Sequence, residues 1–221
     1  MNVFSIRAGL VAVALSASAA SYSATIVSNL PNQVSGDNMS FAQVADNFSL
    51  GSTVNFTGIR FWSVQSAAAD YSGNVYWAIH SNTAGAPGAV LFTGTPAVTA
   101  IATGGSTGFG YAEYQFDFAV AFQLLAGDYW LALHNGSLAS TTPTEMFWET
   151  SSAGIASTGQ YNDLTDAPDF GWIDTGNEHA FALFGERVIQ PPPDVPEPGT
   201  VALLLGGLLA AASVRRATRR A

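Results

Sequence analysis

Between Thr25 and Gln190 apolar and polar positions alternate with period two, and the 3.6-residue period of a helix is nearly absent. That pattern predicts strands. The clearest is Glu113-Tyr114-Gln115-Phe116-Asp117-Phe118, with aromatics on one face and polar side chains on the other. Further strands are predicted over residues 46–50, 54–64, 74–81, 89–93, 127–135, 145–150 and 179–186. Turn-forming clusters separate them, among them Thr83-Ala84-Gly85-Ala86-Pro87-Gly88, Thr103-Gly104-Gly105-Ser106 and Asn135-Gly136. Eight or more short strands at this spacing predict an all-β domain over residues 25–190, an antiparallel two-sheet sandwich of jelly-roll type, with a barrel as the alternative.

Both ends of the chain depart from this alternation. Met1 to Arg7 carries one positive charge, Ala8 to Ala17 is apolar, and small residues follow from Ser18 to Ala24, the layout of a secretory signal peptide over residues 1–24. Cleavage after Ala19 or Ala20 satisfies the small-residue preference at both key positions, whereas cleavage after Ala24 puts Tyr22 where a small residue is wanted. At the other end Pro191-Pro192-Pro193 predicts a stiff extended linker over residues 191–195. Residues 196–221 then hold three parts in order: Val195-Pro196-Glu197-Pro198-Gly199 leads in, Thr200 to Val214 is uncharged, and Arg215, Arg216, Arg219 and Arg220 close the chain. An apolar helix over this run spans roughly 22 Å at about 1.5 Å per residue, short of the roughly 30 Å hydrocarbon core. Local thinning and snorkelling arginines relieve the mismatch, so the run suits a transient membrane helix better than a lasting anchor. The trailing arginines orient it with the C-terminus in the cytoplasm and everything before Pro196 outside.

The Pro-Glu-Pro turn, the apolar run and the arginine cluster together resemble the PEP-CTERM sorting signal of Gram-negative bacteria. The resemblance implies export across the inner membrane, recognition and cleavage near Pro196 to Pro198 by an exosortase, and delivery to the cell surface or the extracellular matrix, in association with exopolysaccharide or biofilm. A plain tail anchor is the alternative reading. The middle of the chain resembles a loosely defined group of exported β-sandwich modules through Ala45-Asp46-Asn47-Phe48-Ser49-Leu50, Ile59-Arg60-Phe61-Trp62, the Pro87-Gly88 hairpin and Ala126-Gly127-Asp128-Tyr129-Trp130-Leu131-Ala132-Leu133. That group implies no common enzyme activity.

Charge narrows the partners. The chain has no Lys, and of its seven Arg only Arg60 and Arg187 fall between the two signals, against fifteen of its sixteen acidic residues, a formal net of −13. Nucleic acid, whose phosphates demand a basic footprint, is excluded as a partner. No cysteine is present, so thiol chemistry, disulfides and cysteine-ligated metals are excluded as well.

Two groups of residues are candidates for chemistry. Tyr76, Ala78 and His80 project to one face of their strand, and Trp130, Ala132 and His134 do the same on another. If the two strands share a sheet, Tyr76, His80, Trp130 and His134 form an aromatic and histidine surface on which sugar rings could stack. The second group is Asp163, Asp166, Asp169 and Asp174, with Glu178, Asn162 and Asn177 nearby, an oxygen-rich stretch that could clip a structural Ca²⁺ without matching an EF-hand. Otherwise no cofactor is expected. His80, His134 and His179 lack a paired zinc spacing, and Glu145 and Glu149, four apart on a strand, stand about 13 Å from each other, too far for paired-carboxylate hydrolysis. The sequence therefore points to an exported, non-catalytic surface or matrix protein, with a carbohydrate-binding module as the alternative and a secreted hydrolase behind it.

Overall fold

Fourteen strands supply nearly all the regular structure among the described residues, 23–152, 158–165 and 171–189 of the computed structural model. They are β1 (Thr25–Asn29), β2 (Pro31–Asn38), β3 (Ala42–Leu50), β4 (Val54–Gln65), β5 (Val75–Thr83), β6 (Ala86–Gly94), β7 (Ala100–Ser106), β8 (Ala112–Leu124), β9 (Gly127–Asn135), β10 (Met146–Ser151), β11 (Gln160–Asp163), β12 (Ile173–Asp174), β13 (Glu178–His179) and β14 (Phe181–Arg187). The expected all-β, two-sheet antiparallel architecture is what forms. Eight strands make sheet A, and six make sheet B in the order β12-β11-β3-β9-β5-β6. In sheet A the long strand β4 is central, with β8 along one edge and β7 beyond it, and with β14 and then β10 along the other.

The alternation drives this arrangement. Phe56, Ile59 and Phe61 of β4, Phe116 and Phe118 of β8, and Phe181 and Leu183 of β14 face Val44 and Phe48 of β3, Trp77 and Ile79 of β5, and Leu131 and Leu133 of β9 in one core. Phe48 of sheet B meets Phe56 and Phe181 of sheet A edge-on, with ring centroids 6.3 and 6.4 Å apart. Each such side chain contributes about 1.5–3 kcal/mol through burial.

The strands that the pattern does not predict are the polar ones. In β2, Pro31-Asn32-Gln33-Val34-Ser35-Gly36-Asp37-Asn38 has no alternation, and its proline stands at the first position, where a missing N–H is tolerated. Side-chain bonds to β10 hold it: Thr150 Oγ1 donates to Asn32 Oδ1 at 2.9 Å and lies 3.1 Å from Ser35 O. β1, β7, β11 and β12 are likewise added by pairing with stronger neighbours, and the strand predicted over residues 179–186 is interrupted at Ala180 into β13 and β14.

Candidate functional site

The densest polar chemistry lies where sheet A forks. β4 and β10 pair directly at Val64↔Phe147 and Ser63↔Trp148, then diverge to admit β13 and β14. Ala180 sits at the branch: its N–H donates to Glu149 O at 2.8 Å, while its carbonyl accepts from Trp62 N at 3.3 Å and from Trp148 Nε1 at 2.8 Å. Because Phe181 faces the core, His179 two residues earlier faces it too. His179 is fully buried, its ring 4.9 Å from the Trp148 indole.

Two carboxyl groups bracket that imidazole from different sheets. Its Nε2 lies 2.8 Å from Asp37 Oδ2 of β2, an oxygen that also accepts from Asn177 Nδ2 at 3.1 Å. Asp46, at an inward position of β3 with no exposure, accepts the His179 backbone N–H and stands 3.7 Å from Nδ1. That last distance is an ion-pair contact, too long for a hydrogen bond. Burial alone would lower the His179 pKa, but Asp37 and Asp46 outweigh it and hold the ring protonated up to about 9. Burial likewise pushes Asp37 up, and the opposing bonds to His179 and Asn177 bring it below the ordinary range. The outcome is an Asp–His–Asp bridge between sheets. Its fit depends on Gly159, where a Cβ would stand 2.6 Å from His179 Cε1 and Nδ1 and 2.9 Å from Ala45 O.

Beside the bridge, Glu178 is 8 % exposed, its two carboxyl oxygens shut off from solvent next to the Asp46 carboxyl. Burial, and then the like charge of Asp46, push it up to about 8. One side of Glu178 borders a cleft of about 260 Å³ between β2, the end of β10 and the turn at Gly176, with Asn32, Ser35, Thr150, Ser151 and Asn177 among its walls.

A second acid pair occupies the outer face of sheet A. Glu149 of β10 and Glu113 of β8 are 0 % and 4 % exposed and reach each other across β4. Burial, and then the charge of Glu113, raise Glu149 to about 8, so a proton on Glu149 turns their repulsion into a hydrogen bond. Gln33 clasps both: its N–H donates to Glu149 Oε1 at 2.8 Å and its Nε2 to Glu113 Oε2 at 3.2 Å. To do so it adopts φ +59°, a left-handed conformation costing roughly 1–2 kcal/mol outside glycine.

The aromatic and histidine group is brought together, but the surface expected of it is not there. β5 and β9 are neighbours, with Tyr76 opposite His134, Ala78 opposite Ala132 and His80 opposite Trp130 on the outer face of sheet B. Trp130 is 1 % exposed, His134 0 % and His80 5 %. Trp172 packs over Ala45, Ala78, Trp130 and Ala132, and its ring meets His80 edge-on at 5.6 Å. Trp130 Nε1 donates to Asn82 Oδ1 at 3.0 Å, and His80 Nδ1 lies 2.9 Å from Gly88 O. Burial lowers the pKa of both histidines, so both are neutral at pH 7. The expected sugar-stacking surface is therefore corrected: Trp130, His80 and His134 are buried, and half-buried Tyr76 and Trp172 pack against that layer.

Of the aspartates considered for Ca²⁺, Asp166 and Asp169 lie outside the described residues. Asp163 and Asp174 do not converge. Asp174 stands opposite Gln160 in the β11–β12 pair, while Asp163 ends β11 three residues on. Each makes a local turn: Asp163 Oδ1 accepts from Thr165 N at 2.8 Å, and Asp174 Oδ1 from Gly176 N at 2.8 Å. Among the described residues no three His, Asp or Glu side chains are placed to hold a metal ion. Asp37, Asp46, Glu113 and Glu149 are the members of the two clusters that the sequence pattern does not pair. One of them left a signal, since Asp46 interrupts the inward series Val44, Phe48 and Leu50 with a carboxylate.

The sorting residues Val195, Pro196, Glu197, Pro198 and Gly199 and the four terminal arginines also lie outside the described residues, and comparison with known families bears on them directly. The model described as the PEP-CTERM protein-sorting motif matches residues 194–220. No curated protein matches the chain. The segment is thus a PEP-CTERM sorting signal, and the chain is exported through the membrane to the cell surface of a Gram-negative bacterium as an exosortase substrate.

Proposed function

We propose that this protein is a non-catalytic element of the bacterial surface or extracellular matrix, held in association with exopolysaccharide after its PEP-CTERM signal has been removed. One observation carries the reading: the sorting motif at residues 194–220 follows an all-β domain whose most strongly perturbed ionisable groups bond to one another rather than to solvent. A catalytic acid or base must come within hydrogen-bond reach of its substrate. His179 and Glu149 are fully buried and Glu178 nearly so. The formal net of −13 over the exported region keeps such a domain soluble, repels anionic partners and leaves neutral or cationic ones. The membrane is a transient partner, engaged only through residues 200–214 before processing.

The test is intact-mass measurement of the protein from the cell surface and medium of producing cells with and without their exosortase. The expected result is a product lacking Arg215 to Arg220 only when the enzyme is present. A surface product that keeps those arginines in both strains overturns the reading.

A further inference from the structure

We infer that β6 is a self-association edge, where two copies of this chain meet side by side and antiparallel about Leu91. β6 ends sheet B, with β5 on one side and no strand on the other among the described residues. All of its residues from Ala89 to Thr93 are exposed, Val90 at 50 % and Leu91 at 43 %. An edge strand leaves a row of N–H and C=O groups open to another chain, and proteins guard such rows with charged side chains, proline or bulges. From Gly88 to Thr93 there is no charge and no proline. What the edge presents is Ala89-Val90-Leu91-Phe92-Thr93, an uncharged run rich in strand formers.

The edge is held in place before any partner arrives. Thr93 Oγ1 donates to Trp77 O at 2.9 Å, and Phe92 stacks on Phe122 with ring centroids 4.9 Å apart, so little ordering entropy is lost on pairing. Of the usual guards only bulges are present: register shifts against β5 leave Gly88, Ala89 and Leu91 with no residue opposite them. Bulges bend a strand and keep an added ladder short, which places the contact among transient interfaces of less than about 1,200 Å².

Charge selects the partner. No Asp, Glu, Lys or Arg occurs from Tyr71 to Ala112, a stretch that holds β5, β6 and β7, whereas the exported region as a whole carries a formal net of −13. A cationic partner is drawn to the acidic remainder and gains nothing from this edge. A second copy is repelled by that remainder and meets least repulsion here. Laid antiparallel on itself about Leu91, the run sets only uncharged residues opposite one another and closes as a two-fold pair.

The experiment follows sedimentation of the protein recovered from the surface and medium of producing cells, from micromolar to millimolar concentration, at low and at high NaCl. A monomer–dimer equilibrium is expected that tightens as salt screens the mutual repulsion of two acidic copies, the opposite of docking between unlike charges. Leu91→Lys and Leu91→Glu should each weaken the dimer about tenfold or more, and an equimolar mixture of the two should restore it, because the pairing sets position 91 of one copy beside position 91 of the other. Leu91 is exposed in the single chain, so both variants fold, and Lys lowers the net negative charge, so its effect is not one of overall repulsion. Ile101→Lys, at an exposed position of the other uncharged edge strand, β7, is the control and should leave the dimer intact. A monomer at every concentration, a dimer that salt weakens, unchanged dimerisation in the Leu91 variants, no recovery in their mixture, or equal loss in Ile101→Lys overturns the inference.

Discussion

Replacing Glu149 with Gln isolates the physics of the outer acid pair. In the folded chain the Glu149 carboxyl is held up to about 8, against an ordinary 4.5 that it regains on unfolding. Between those values unfolding releases a proton, so the stability associated with this group is complete below pH 4.5, declines as pH rises, and is gone above about 8. At about 1.4 kcal/mol per unit, the unfavourable term is roughly 3 kcal/mol at pH 7 and approaches about 5 kcal/mol beyond pH 8, an upper limit because the site can relax. A Gln amide donates to Glu113 as the proton does, while its Oε1 still accepts the Gln33 N–H. Glu149→Gln is therefore expected to leave stability unchanged at pH 4.5 and to raise it by about 2–3 kcal/mol at pH 7, a shift of roughly 6 °C in Tm for a domain of this size. Urea unfolding of both proteins across pH 4.5–8.5 gives the difference curve directly. The groups elsewhere that titrate in this range, Glu178 and His179, are common to both proteins and cancel. A difference that does not grow with pH, or a variant less stable than the parent at pH 8, refutes the shared-proton pair.

Asp46→Ala leaves the imidazolium of His179 buried with one partner fewer and should cost about 3–5 kcal/mol, with the His179 titration observed by NMR moving well below about 9. Because the stability supplied by that bridge is complete below pH 6.5 and lost as pH rises through about 9, the variant's deficit should shrink in alkaline buffer, and a pH-independent deficit would argue against an ionic bridge. Gly159→Ala drives a methyl into the same ring and should destabilise by about 2–3 kcal/mol in chemical denaturation, whereas Gly51→Ala, with nothing within 4 Å, should be near neutral. Trp172→Ala uncovers the outer layer of sheet B, so Trp130 emission should shift to the red and the His80 pKa should rise toward 6.5. At the N-terminus, Ala24 O accepts from Gly185 N at 2.9 Å and Ser23 Oγ pairs with Thr57 Oγ1 at 2.7 Å, so peptide mass mapping should place the mature start at Ala20 or Ser21 and not at Thr25.

Period-two alternation reports which face of a strand is buried, and by itself it places Tyr114, Phe116 and Phe118 inward and matches the faces of β5 and β9. It cannot report whether the opposite face meets water. That depends on segments distant in sequence, and here Trp172 turns an apparent sugar platform into a buried layer. Nor could it bring Asp37, Asp46 and His179 together, since the bridge spans up to 142 positions and is created by a fork that polar, pattern-free β2 helps to build.

The sequence by itself determined the sorting signal, the all-β class and the absence of a basic or thiol-bearing site, because these depend on local composition and short-range periodicity. Only the tertiary structure decided which carboxyls share protons, which aromatics are covered and where a polar cleft opens. Those are properties of side chains packed from both sheets, and packing has no signature along the chain.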